Sequence, residues 1–167
     1  MDEIDQKVKP LDDDDVDAVV RKTLALNDSQ IKQLNDIYKQ FDNCISSLLS
    51  MASKTVTNET ELVELERVKR ILKIPGDDEK FIRSKDKLWA VRNQIINKDE
   101  NYFLNKDYTT IIKKDSKQAM IECVLNIIKH KFTNMNPSEK AVYWTKAGEM
   151  LKYVIKYKQL MGEVVYN

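Results

Sequence analysis

The chain has 167 residues, 42% apolar and 33% charged, which is one domain's length with enough apolar surface for a core. A second enzymatic domain is not expected, and wholesale disorder is excluded. Its 28 basic and 27 acidic residues leave a net charge of +1, which excludes a global field steering it to nucleic acid or anionic lipid. Three glycines (Gly76, Gly148, Gly162) and three prolines (Pro10, Pro75, Pro137) starve a sandwich or barrel of turns. The fold class is therefore expected to be all-α, a helical bundle of about six helices behind an acidic N-terminal tail.

Residues 1–11 lack apolar periodicity and read as a mobile tail, with residues 12–167 as a single helical domain. Residues 1–17 set eight acids against two lysines, a net of −6. Within that stretch Asp12, Asp13, Asp14 and Asp15 precede Val16, Val19, Val20 and Leu24, so the carboxylates sit at the positive end of a helix dipole. A calcium loop would need a glycine at its sharp turn and spaced ligands, and has neither. This first helix ends near Asn27.

Asp28 or Ser29 caps the second helix, in which Ile31, Leu34, Tyr38, Phe41, Ile45, Leu48 and Ala52 alternate by three and four. The flanking Gln33, Asn35, Gln40 and Asn43 lack the charges that select a coiled-coil partner, so a bundle helix is favoured over a dimerising one. Asn58 with Glu61 makes a capping box for the third helix, carried by Leu62, Leu65, Val68, Ile71 and Leu72 and stopped by Pro75-Gly76. Asn58-Glu59-Thr60 formally matches a glycosylation acceptor but reads as this helix start. Helices two and three are expected to form a hairpin over residues 29–74, followed by a C-terminal helical half, 77–167.

Asp77 or Asp78 opens a fourth helix bearing Phe81, Ile82, Leu88, Trp89, Ile95 and Ile96, and Lys85 and Arg92 fall inside its apolar arc. A guanidinium there must be paired, so Arg92 is expected to form a structural ion pair with Asp99 or Asp107 that pins segment 98–108 onto the helix. The alternative presents Arg92 to a phosphate or a partner carboxylate. Residues 98–115 hold Tyr102, Phe103, Leu104, Tyr108, Ile111 and Ile112 without a clean period, and read as an ordered connection with one or two short helical turns. Asp115 or Ser116 starts a fifth helix with Met120, Ile121, Val124, Leu125, Ile128 and Phe132, and Asn136-Pro137 opens a sixth. That last helix has two apolar stripes: Trp144, Ala147, Leu151, Val154 and Ile155, and beside them Tyr143, Met150 and Tyr157, spaced by seven. Either the helix is central in the bundle, or the Tyr143, Met150 and Tyr157 stripe docks another protein chain, including a second copy of this one. The stripe is the candidate partner-binding surface, with the seam of helix two as a second.

Catalytic and cofactor chemistry finds no foothold. His130 is the single histidine, between Lys129 and Lys131, and reads as a helix C-terminal cap. Cys44 and Cys123 read as reduced core thiols, and no metal, cofactor or catalytic residue is expected. Glycines are too far apart to cradle phosphates, and the acidic pairs Glu61/Glu64 and Glu64/Glu66 read as a solvated face. Residues 101–167 carry eleven lysines against six acids, of which Lys152 and Lys156 share a face of the last helix. Phosphate contact through Lys152 and Lys156 is the alternative function, salt-sensitive and without base reading, because lysine lacks arginine's fork. No stretch approaches a membrane span and the N-terminus is acidic, so an intracellular, soluble protein is expected.

The run from Leu88-Trp89-Ala90-Val91-Arg92 through Ile95-Ile96, Asp99-Glu100, Tyr102-Phe103-Leu104 and Asp107-Tyr108 resembles a pattern in small helical proteins of large nucleocytoplasmic DNA viruses. The resemblance covers residues 88–108. It implies a viral source and a virion or assembly role, and carries over no catalytic residue. A non-catalytic protein–protein interaction or assembly protein is the function expected from the sequence.

Overall fold

The computed structural model describes residues 25–54, 58–73, 76–106 and 120–163, except the side chains of residues 64, 71 and 120–124. Among the described residues the chain is all-α, with seven helices: α1 (Asp28–Ser53), α2 (Glu59–Lys73), α3 (Asp77–Ala90), α4 (Arg92–Ile96), α5 (Glu100–Asn105), α6 (Met120–Phe132) and α7 (Pro137–Leu160). The expected tail and first helix lie outside the described residues, as do Asp107, the start of the fifth expected helix and the side chain of Cys123.

Caps fix where the long helices begin. On α1 the cap is Asn27, one residue before the expected Asp28: its Oδ1 accepts from Gln30 N at 2.9 Å, and Gln30 Oε1 accepts from Asn27 N at 3.0 Å. Asn136 and Glu139 close the same reciprocal box on α7, with Pro137 in its first turn. Asn58 Oδ1 accepts from Glu61 N at 2.9 Å, as its spacing predicts. At α3 the cap position is Gly76, which offers no side chain, and Asp78 Oδ1 accepts from Glu79 N instead.

The apolar periodicity of α1 becomes one buried seam of Leu34, Ile37, Tyr38, Phe41, Cys44, Ile45, Leu48 and Ala52. It packs against α7 and α3 of the same chain, so it is not an open coiled-coil face. Here the expected hairpin of α1 with α2 is corrected. The stripe of α1 is covered by α7 and α3, and α2 buries Leu65, Val68 and Leu72 while packing against α6. Lys131 of α6 grips Glu61 of α2 at 2.7 Å across that contact, so Glu61 is an interhelical partner and not a solvated residue.

The fourth expected helix is broken. Val91 leaves helical geometry at φ −105°, ψ 19°, dividing it into α3 and α4. The break turns Ile95 into the core and leaves Ile96 64% exposed, although periodicity placed both on one face. Asp99 caps the short α5 by accepting from Tyr102 N at 3.2 Å.

Candidate functional site

The Tyr143, Met150 and Tyr157 stripe faces inward, with relative exposures of 8%, 3% and 2%. This corrects its assignment as an outward docking surface and makes α7 the central helix. The reason is aromatic complementarity: Tyr157 meets Phe81 at 5.1 Å between centroids, and Phe81 in turn meets Phe41 at 5.1 Å and Tyr38 at 5.6 Å. Burial pushes the Tyr157 hydroxyl far above its ordinary range, with Tyr38, Glu163 and Asp86 adding to the effect. Lys85, the other cation of the apolar arc, lies 5.6 Å over the Tyr157 ring and reaches Asp86 at 3.1 Å.

Arg92 makes a different contact from the one expected. Its Nη1 donates to the carbonyl of Trp89 at 2.8 Å, and the guanidinium lies 4.4 Å from the Trp89 ring centre. The break at Val91 ends α3 here, and the guanidinium satisfies a carbonyl at that end. Asp99 is spent on the cap of α5 and Asp107 lies outside the described residues, so the expected ion pair to Asp99 is replaced by this capping and stacking contact. Segment 98–106 is still pinned, by other residues. Lys140 of α7 holds Glu100 at 2.6 Å, and Lys129 of α6 donates to the Lys106 carbonyl at 2.5 Å. The sequence signal was available in the alternating acids and lysines, but nothing in it paired positions 100 and 140.

These contacts position α5 over a feature no sequence reading anticipated. A cavity of about 130 Å³ lies between six of the seven helices. Its walls are Ile45 and Leu48 from α1, Leu88 from α3, Val91, Ile95 from α4, Phe103 and Leu104 from α5, Leu125, Ile128 and Phe132 from α6, and Tyr143, Trp144, Ala147 and Met150 from α7. Two residues of the expected docking stripe, Tyr143 and Met150, are therefore cavity walls. The aromatic walls brace one another edge to face: Phe132 meets Trp144 at 5.9 Å and Tyr143 at 6.2 Å, and Phe103 meets Trp144 at 5.9 Å. Burial, with the nearby Glu139, raises the Tyr143 hydroxyl above its ordinary range, so it stays a neutral polar group in an apolar wall. Among the described residues, the charged side chains lining the cavity are Lys87, Lys106, Lys129 and Glu100.

Cys44 is a free thiol, 4% exposed, donating to Glu149 Oε2 at 3.6 Å; burial and then that carboxylate push it up to about 11. Its thiolate is suppressed rather than activated. Burial and the neighbouring Asp42 raise the Asp77 carboxyl, while Lys80 holds Asp42 at 2.7 Å. His130 is exposed in the last turn of α6. Lys152 and Lys156 are exposed on α7, Lys156 lying 5.5 Å over the Tyr153 ring. Among the described residues no three His, Cys, Asp or Glu side chains gather to hold a metal, and no helix is long and apolar enough to cross a membrane. No family model, curated protein or solved structure matches this chain.

Proposed function

We propose that this protein is a non-catalytic helical interaction module that takes one apolar anchor side chain of a partner protein into the cavity. The observation that carries the reading is the cavity itself, an apolar chamber with charge at its edge, which is the anatomy of an anchor pocket in a protein interface. Ala147 stands in the wall where a larger residue would fill the space. A virion-associated or assembly role, the role implied by the pattern in residues 88–108, is the setting we propose for such a module.

The test replaces Ala147 with Phe, filling the cavity from its own wall, with Ala147→Leu as a milder second variant. Both are expected to keep the helical signal in circular dichroism. The protein that co-purifies with the wild-type chain from its native source is expected to be lost from both. Full retention of that protein by a folded, cavity-filled variant overturns the proposal.

A further inference from the structure

The walls of the cavity are held with unequal firmness. Ile45, Leu48, Leu88, Ile95, Ile128 and Met150 are buried on helices that each pack extensively against another helix. The wall formed by α5 is the exception. None of its six residues is buried, and alone among the described helices it shares no extensive packing with another. So short a helix is unstable by itself in water, because nucleation costs more than its few hydrogen bonds return, and side-chain contacts must hold it in place. It reaches the cavity through Phe103 and Leu104, both half-buried, and Phe103 meets Trp144 at 5.9 Å. At its entry Lys98 has a φ of 53°, the single positive φ of a non-glycine residue among the described residues. That left-handed conformation is costly for an L side chain, so the backbone there favours other angles once the contacts beyond it let go. The contact just beyond it is an ion pair: Glu100 lies 2.6 Å from Lys140 of α7, with side chains 36% and 26% exposed. Lys140 is itself placed 5.2 Å over the ring of Phe132, another cavity wall. At the far end Lys129 donates to the Lys106 carbonyl, a contact that any opening must also release.

We infer that α5 is the lid of the cavity, turning about Lys98 and latched shut by the ion pair between Glu100 and Lys140. This rests on the reading of the cavity as an anchor pocket, since a lid matters only where something enters. Among the walls, α5 is the one whose withdrawal unburies least: it carries no buried residue, and Phe103 and Leu104 are already in partial contact with water. Segments of such low local stability open well below the cost of global unfolding. A partly solvated ion pair suits a latch, being weak enough to break often and strong enough to bias the helix toward closure, and it weakens with salt.

The test needs no partner. In a Leu88→Cys chain, the rate at which N-ethylmaleimide labels the thiol in that buried cavity wall reports opening of the cavity. Cys44, buried and not part of the cavity lining, reports opening of the whole bundle in the same sample, the two sites being resolved by peptide mass. Glu100→Lys is expected to raise labelling at position 88 about threefold and to leave Cys44 unchanged, and adding Lys140→Glu is expected to restore the original rate. Glu100→Gln should act in the same direction, more weakly. Salt should raise the rate while the ion pair is intact and have little effect in Glu100→Gln. A rate at position 88 that Glu100→Lys leaves unchanged overturns the lid. Equal rises at position 88 and at Cys44 make the ion pair a brace of the whole fold and overturn it too, as does failure of the swapped pair to restore the rate. Each of these results leaves the anchor pocket standing, because that reading fails on a different one, retention of the partner by the cavity-filled variants.

Discussion

Two aromatic clusters share the helix α7 and end differently. Around Phe81, which is 0% exposed, Tyr38, Phe41 and Tyr157 pack within 5.6 Å between ring centres. The rings of Phe103 and Phe132 lie 5.9 Å from Trp144, Tyr143 lies 6.2 Å from Phe132, and together they line a cavity of about 130 Å³. Both clusters are aromatic, so aromatic content alone does not explain the difference. The first cluster draws on the long helices α1 and α7 together with α3, whereas the second must be completed by the short α4 and α5 and by α6. Short elements lay fewer side chains across a gap. One cluster is therefore closed core, and the other leaves space between its helices.

The largest effect that could break this comparison is expected at Phe81. Phe81→Ala should lower stability by about 3–5 kcal/mol in urea unfolding, because a fully enclosed ring is removed from a site that cannot collapse. A loss under about 1 kcal/mol would mean the first cluster is no better packed than the second. Next comes the alkaline limb, which probes Cys44 on the filled side of α1. The folded thiol stays protonated until pH about 11 while the unfolded thiol ionises from about 9, so stability should fall between those values by roughly 2 kcal/mol. Urea midpoints measured across that range should decline less steeply in Cys44→Ala.

On the open side the sign reverses. Ala147→Leu should raise stability by about 1 kcal/mol by filling the void, where an added branch in the Phe81 cluster would strain it. Thermal unfolding of the two kinds of variant checks the opposition directly. The smallest effect is expected at Lys152 and Lys156, outside both clusters: the double change to Gln should move stability by less than about 0.5 kcal/mol. Retention on heparin or DNA that falls steeply in that variant, with stability unchanged, would favour phosphate contact over the cavity as the working surface.

The fold class and most helices were legible because their signals are local. The seam of α1, the Asn58 and Asn136 caps and the Pro137 start each depend on residues within a few turns of one another. Helix pairing was not legible. An apolar stripe says that a face is buried without naming what buries it, since the hydrophobic effect has no direction, and so α2 went to α6 instead of folding back on α1. The same ambiguity left the Tyr143, Met150 and Tyr157 stripe between core and docking surface, and burial makes it core. Arg92 was correctly singled out as a cation needing a partner, but a helix break at Val91 supplied a carbonyl that periodicity could not foresee.

From its residues alone, this chain determines that it is helical and where its long helices start, because propensity, caps and periodicity act over a few residues. The tertiary structure alone decided which helices meet, that Lys140 and Lys129 pin segment 98–106, and that space remains beside Trp144. A cavity is the shortfall of side chains from six helices distant in sequence, and such a shortfall has no residue of its own to announce it.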